Sequence, residues 1–314
     1  MDETTFAAPA WAWLAVAAVI AAMLAVDMFS HRDHHVVELR EALLWSATWI
    51  TTGVVFGLVI WLWRGSGPGV AYFSGYLLEK ALSVDNVFVF ALLFKYFRVP
   101  AEYQHKVLFW GVLGALGFRL VFIFAGAQLL DRLTWAGLVL GAFLIWTGWR
   151  LAVRGEPDVE PDRNIAVRIF RRLVPTDPSY HDGRFTIRVD GRRAGTVLLV
   201  ALVAIEATDV VFAIDSVAAI LAVTTNTFLV WTANAFAVLG LRSLYFCLAG
   251  LLRHFGRLRY GLAVLLAFAG VKLILAETPV GKLPVWLTLA VVVLTLAVAI
   301  TWSAVAARRN APTR

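Results

Sequence analysis

Runs of about 20 apolar residues recur nine times along this chain, and a run of that length is what an α-helix needs to cross the hydrocarbon core of a bilayer. They lie approximately at 9–29, 43–63, 69–94, 107–126, 134–151, 195–223, 227–252, 261–276 and 283–306. A helix satisfies its own backbone polar groups, which lipid cannot do, so such a chain is directed to a helical bundle in a membrane. Composition agrees: 61% of the 314 residues are apolar and 16% charged, against roughly 45–50% and about 25% in soluble domains. The expected fold class is an all-α membrane protein of about nine transmembrane helices. Asp2 and Glu3 stand where a cleavable signal would carry basic residues, so the first run is read as a span.

The formal charge of +7 is read as a topology signal before it is read as affinity for an acidic partner, and no nucleic-acid role is expected. With the N-terminus outside and the C-terminus inside, 21 lysines and arginines fall in cytoplasmic segments and only Arg64, Arg132 and Lys282 outside. That asymmetry sets a multi-pass orientation in a bacterial cytoplasmic (inner) membrane. Cys247 is the single cysteine, and Met1, Met23 and Met28 are the only methionines. Dithiol redox chemistry within the chain, thiolate metal clusters and a thioether path for a soft ion are thereby excluded.

Five segments follow: a two-span portion (1–68), a three-helix unit (69–151), an arginine-rich cytoplasmic connection (152–194), a second three-helix unit (195–282) and a last span with its tail (283–314). In the connection, residues 155–162 read as a linker rich in proline and acid. Ile165, Ile169, Phe170 and Leu173 set against Arg163, Arg168, Arg171 and Arg172 read as a short helix lying on anionic lipid. Residues 185–193 read as a hairpin turning at Asp190-Gly191. A solvated loop that only fixes topology fits the same residues.

The two three-helix units repeat. Asp85-Asn86-Val87-Phe88 matches Asp209-Val210-Val211-Phe212, Gly117-Phe118-Arg119 matches Gly240-Leu241-Arg242, and Gly137-Leu138 matches Gly261-Leu262, all at an offset of 123 or 124 residues. Because each unit holds an odd number of spans, spans 3–5 and 6–8 run oppositely, the inverted three-plus-three arrangement of many secondary transporters.

Five carboxylates fall inside spans: Glu79 and Asp85 in span 3, and Glu206, Asp209 and Asp215 in span 6. A charge at that depth costs roughly 2.5–3.5 kcal/mol on insertion scales unless it is paired, protonated or bound to a cation. Arg119 and Arg242 could balance two of them in Asp–Arg bridges, which leaves Glu79, Glu206 and Asp215 to lysines near span ends, where ammonium groups tend to reach for water. Glu206 and Asp209 share a face, as do Glu79, Ser83 and Asn86. Asp85 and Asp215 point elsewhere, so the acidic groups are expected to form a pathway with a central pair. Together with Thr208, Ser216 and Asn234 they make an all-oxygen inventory suited to hard or borderline divalent cations. Asp27, near the inner end of span 1, reads either as an entrance ligand or as a headgroup contact. His31, Asp33, His34 and His35 beside it read as solvated or as a metal-presenting loop.

At these residues the sequence resembles the TerC family of bacterial integral membrane proteins, named for tellurium resistance. The carrying segments are Leu78-Glu79-Lys80-Ala81-Leu82-Ser83-Val84-Asp85-Asn86 and Glu206-Ala207-Thr208-Asp209-Val210-Val211-Phe212-Ala213-Ile214-Asp215-Ser216. Val26-Asp27, Glu41-Ala42-Leu43-Leu44-Trp45-Ser46 and Leu239-Gly240-Leu241-Arg242-Ser243 add to them. The resemblance covers spans 1 to 8. It implies a LysE-like exporter with a role in manganese efflux, and it implies Glu79, Asp85, Asn86, Glu206, Asp209 and Asp215 as metal-site residues, with Asp27 accessory. Tellurite itself is an anion, which a carboxylate-lined midplane repels.

The resulting expectation is a non-enzymatic exporter of a divalent cation, Mn²⁺ first, exchanged against protons, with no permanently bound cofactor. Its partners would be the bilayer, the cation, protons and a homo-oligomer or membrane partner. The competing class is a non-transporting scaffold of a metal or tellurite stress complex. No His-Glu-x-x-His or Gly-x-Ser-x-Gly pattern supports an intramembrane enzyme, and oxyanion transport would rest on Arg119 and Arg242 alone.

Overall fold

A computed structural model describes residues 6–30, 39–133, 135–154, 165–177, 183–189, 192–248, 258–279 and 283–309. The helices are α1 (Ala10–Ser30), α2 (Leu39–Arg64), α3 (Ser66–Phe97), α4 (Ala101–Arg132), α5 (Ala136–Arg154), α6 (Ile165–Leu173), α7 (Val197–Leu221), α8 (Thr227–Leu239), α9 (Leu241–Leu248), α10 (Leu258–Ala276) and α11 (Val285–Arg309). Strands β1 (Thr176–Asp177), β2 (Thr186–Val189) and β3 (Arg192–Thr196) lie between α6 and α7. His31, Asp33, His34, His35, the linker at 155–162 and the turn at Asp190-Gly191 fall outside the described residues.

Among the described residues, eight segments are long and apolar enough to cross a membrane: α1, α2, α4, α5, α7, the α8–α9 stretch from Thr227 to Cys247, α10 and α11. The remaining expected span, α3, has 32 residues, about 48 Å at 1.5 Å per residue, which exceeds the hydrocarbon core. Its Glu79, Lys80, Asp85 and Lys95 remove it from the purely apolar set. Large apolar side chains face outward along the helices, Leu62 at 87% exposure and Leu294 at 65% among them. In water that surface would be untenable, whereas in lipid it is the solvent-facing side.

Helix α3 packs on α2, α7, α8 and α11, α4 packs on α7 and α8, and α5 packs on α10. Two apolar clusters form. One gathers Tyr72, Phe90, Phe94, Ile205 and Phe236, the other Leu144, Val217, Leu221, Leu262 and Leu266. Helix α7 enters both and carries its acidic segment, Glu206 to Asp215, across the interval between them. The α5–α10 contact is a close backbone approach: a Cβ on Gly141 would stand 2.7 Å from the Gly270 carbonyl oxygen, and one on Gly148 would stand 2.7 Å from that of Ala263. As the α5 residue number rises the α10 number falls, so the two helices are antiparallel.

One expected span differs in shape. The run at 227–252 divides at Gly240 into α8 and α9, while Thr227–Cys247 still forms one stretch of membrane length. Lys80 of α3 meets the chain at this junction, where its Nζ donates to the Ala237 carbonyl at 2.9 Å, one of the acceptors that a helix C-terminus leaves open. A Cβ at Gly240 would lie 2.6 Å from that Nζ. The opposite end of α8 is capped by Asn226, whose side chain accepts from the Phe228 and Leu229 amides.

The connection folds as a small unit. Helix α6 forms where the arginine-flanked apolar residues predict it, and β2 and β3 pair antiparallel with Val189 opposite Arg192, the register of a two-residue hairpin loop. Strand β1, which pairs parallel with β3, has no counterpart in the sequence pattern because two residues carry no period.

Candidate functional site

The site is built on three helices. Glu79, Ser83 and Asn86 occupy successive turns of α3, Arg119 comes from α4, and Asp209 and Ser216 come from α7; all six are buried. The spacing of the α3 residues places them on one stripe, and that stripe faces α4 and α7.

Arg119 is the centre. Its Nε donates to Asp209 Oδ2 and its Nη2 to Asp209 Oδ1, each at 3.1 Å. That two-bonded fork is the geometry in which a guanidinium recognises a carboxylate most strongly. Nη1 donates to Glu79 Oε1 and, at 3.3 Å, to Ser216 Oγ. Asn86 Nδ2 reaches Asp209 Oδ1 at 3.4 Å, a long contact by hydrogen-bond standards. One guanidinium therefore holds two carboxyl groups, a triad whose formal charge, counted from residue types alone, is −1. Glu79 Oε2 and Ser83 Oγ are buried with no hydrogen-bond partner.

The pairing differs from the expected one. Arg119 takes Glu79 as well as an aspartate, so Glu79 does not depend on a lysine. Arg242 does not join this cluster but pairs with Asp27 of α1, which resolves Asp27 as a buried ion-pair partner rather than a headgroup contact. Lys80 and Lys272 do not reach for water either. Lys80 bonds the end of α8, and Lys272 Nζ donates to Thr288 Oγ1 at 2.8 Å and to the Val223 carbonyl at 3.4 Å. In each case a carbonyl at a helix end offers a buried ammonium a nearer acceptor than solvent.

The remaining candidates divide. Glu206 lies on the α4 side of α7, as Asp209 does. It is half-buried against Gly114, where any Cβ would overlap its carboxylate, and its Oε2 is without a partner. Asp215 faces α5 instead, where Thr147 Oγ1 stands 3.4 Å from its Oδ1. Thr208 bonds back to the Ala204 carbonyl of its own helix at 2.7 Å. Asn234 is buried on α8, with its Nδ2 unsatisfied. Asp85 lies on α3 beside Asn86, and its side chain is outside what the structure describes. Among the described residues, no three His, Cys, Asp or Glu side chains converge into a group able to hold a metal ion.

Pattern reading took Lys80 only as an in-span lysine that would reach for water, and it missed Gly114 and Thr147. Lys80 had a usable signal in its position next to Glu79 in mid-span. Gly114 and Thr147 had none, since small and hydroxyl residues are ordinary at helix contacts in membranes.

The model of the integral membrane protein TerC family matches residues 65–311. The chain is 43% identical over 302 residues to the uncharacterized membrane protein STKORF319 of Myxococcus xanthus, covering 96% of this chain and 94% of that one. It is 39% identical over 275 residues to the putative membrane-bound redox modulator Alx of Escherichia coli strain K12, covering 84% and 86%. To a membrane protein of Rickettsia bellii it is 33% identical over 262 residues, covering 83% and 87%. No solved structure matches it.

Proposed function

The chain belongs to the TerC family of integral membrane proteins, and from that premise we propose that it exports a divalent metal cation, Mn²⁺ in the first instance, in exchange for protons. The observation that carries this reading is the buried Glu79–Arg119–Asp209 cluster, with its residual negative charge and its two unpartnered oxygens, Glu79 Oε2 and Ser83 Oγ. A buried carboxylate oxygen with no donor costs free energy until a proton or a metal cation occupies it, and a serine hydroxyl can turn its lone pairs to such a cation. The donors are all oxygen, which suits Mn²⁺ or Mg²⁺ better than a thiophilic ion. Glu206, half-buried one turn from Asp209, extends the path, and Asp85, which the repeat matches to Asp209, lies on α3 beside Asn86.

In this scheme Arg119 is an internal cation. It holds the two carboxylates when the site is empty and must give up part of its hold when a metal binds. Protons can take its place on the same oxygens, so metal and proton use the site in turn and no bound cofactor is needed. The movement would be rocking of the α3–α5 unit against the α7–α10 unit. Reciprocal packing supports reading these as an inverted repeat: equating α3 with α7, α4 with α8 and α5 with α10 maps the α3–α8 contact onto α4–α7, and the antiparallel α5–α10 pair onto itself. Counting α3 then brings the spans to nine, with the N-terminus outside in the inner membrane.

The name redox modulator belongs to the Alx relatives. Here the single Cys247 is buried beside Ser46, with Sγ to Oγ at 3.3 Å, so this chain has no internal dithiol to cycle. The scaffold alternative draws on one observation, the two-bonded Arg119–Asp209 pair, which is also what a purely structural lock between α4 and α7 would look like. Mn²⁺ flux into proteoliposomes under an imposed pH gradient separates the two. Flux by the wild type that is lost in Asp85→Asn, Glu79→Gln and Asp209→Asn, with each variant still folded, supports transport. Wild-type protein that moves no Mn²⁺, Ca²⁺ or Mg²⁺ in either direction returns the scaffold.

A further inference from the structure

Helix α6 has two apolar faces, and among the described residues one of them is packed and the other exposed. Val167 is fully buried, and Phe170 packs beside it against the first turn of α7, where a Cβ on Gly195 would lie 3.7 Å from the Phe170 ring and 3.2 Å from Leu199. The Gly195 amide donates to the Pro175 carbonyl at 2.8 Å, so the strand pairing that follows α6 pins it at that level. Residues 195–199 are where α7 begins, so α6 stands at the height at which a span leaves the hydrocarbon for the headgroups.

The second face is open. Ile165, Ile169 and Leu173 are 71%, 50% and 76% exposed; at intervals of four residues they form one stripe within an arc of roughly 80°. Arg168 and Arg172 border that stripe, Arg171 lies next to them, and all three are exposed. Three large aliphatic side chains in water would be a liability. At headgroup height, beside a row of guanidinium groups, they fit a surface that is apolar below and anionic above.

We propose that α6 is a binding site for anionic phospholipid, with Ile165, Ile169 and Leu173 set into the acyl boundary and Arg168, Arg171 and Arg172 on the headgroup phosphates. The site is coupled to the membrane core of the protein. The segment after α6 is tied to α4 by Lys106, whose Nζ donates to the Gly183 carbonyl at 2.9 Å, and β3 runs directly into α7. The lipid site is therefore attached to the two helices that carry Arg119 and Asp209. It does not rest on the transport reading.

The test uses the full chain in neutral detergent, with phosphatidylglycerol and phosphatidylcholine added in competition and retained lipid read by native mass spectrometry. Wild type is expected to retain phosphatidylglycerol preferentially. The Arg168→Gln, Arg171→Gln, Arg172→Gln variant should lose that preference by roughly ten- to hundredfold, on the order of fivefold or less per arginine. An unchanged preference in a folded variant overturns the proposal. If the triple variant does not fold, a nitroxide on Ile169→Cys in a Cys247→Ala background, reconstituted into phosphatidylglycerol-containing nanodiscs, decides. Greater accessibility to oxygen than to an aqueous nickel reagent supports the site, and the reverse overturns it. A label shielded from both reagents in lipid-free detergent, together with a dimeric mass, assigns the face to a second copy of the chain and likewise overturns the proposal.

Discussion

Replacing Arg119 by glutamine tests the central cluster most directly. Arg119 supplies both bonds to Asp209 at 3.1 Å, the bond to Glu79 and the 3.3 Å contact to Ser216, and it is 1% exposed. Glutamine can restore one or two of these bonds and none of the charge, which leaves two buried carboxylates facing each other uncompensated. Breaking a buried pair in this way costs about 3–5 kcal/mol, a large share of the roughly 5–15 kcal/mol that keeps a native fold together. Thermal unfolding of the purified protein in detergent should therefore show Arg119→Gln strongly destabilised. Adding Asp209→Asn to it should recover part of the loss, since the double variant buries one unpaired carboxylate rather than two. If Mn²⁺ competes with the guanidinium for the same oxygens, added Mn²⁺ should stabilise Arg119→Gln more than wild type. A ligand at 100 times its Kd contributes about 2.7 kcal/mol. The reasoning is refuted if Arg119→Gln unfolds within about 0.5 kcal/mol of wild type, or if Mn²⁺ stabilises both proteins equally.

Other consequences are as direct. Lys80→Met should leave the Ala237 carbonyl at the α8–α9 junction without its donor and cost about 1–3 kcal/mol, read as a lower unfolding temperature. Gly141→Val would drive a side chain into the Gly270 backbone and cost about 1–3 kcal/mol by overpacking, while the same change at Gly117, where an added Cβ meets nothing within 4 Å, should be nearly neutral. Gly114→Ala should displace the Glu206 carboxylate and depress Mn²⁺ flux to the level of Glu206→Gln, measured in the same liposomes. The proposed exchange has metal and protons using the same carboxylates, and on that scheme Mn²⁺ affinity measured by calorimetry should weaken as pH falls, about tenfold per pH unit for each proton displaced. Affinity that does not vary with pH would remove the exchange mechanism.

Legibility in the sequence followed periodicity and exclusion. Apolar runs of membrane length, the α6 pattern and the hairpin expected at 185–193 could be read because each rests on local chemistry. The acidic residues stood out because a bilayer penalises charge at depth, so Glu79, Asp85, Glu206, Asp209 and Asp215 needed a reason to be there before any coordinates existed. The stripe of Glu79, Ser83 and Asn86, and the shared face of Glu206 and Asp209, followed from 3.6 residues per turn.

Partner choice did not follow. Both arginines stand two residues after a glycine in similar segments 123 residues apart, yet Arg119 joins Glu79 to Asp209 while Arg242 turns to Asp27 on α1. That division depends on which helices lie adjacent, a long-range fact that no local spacing encodes. The same holds for Lys80, whose ammonium meets a helix end 157 residues away, and for the division of the 227–252 run at Gly240. Sequence by itself determined which segments enter the membrane and which side chains must be neutralised there, because transfer into lipid acts on each segment separately. Only the tertiary structure decided which cation neutralises which carboxylate, because an ion pair in a low-dielectric interior is made between helices, and its partners are set by the packing that brings them within about 3 Å.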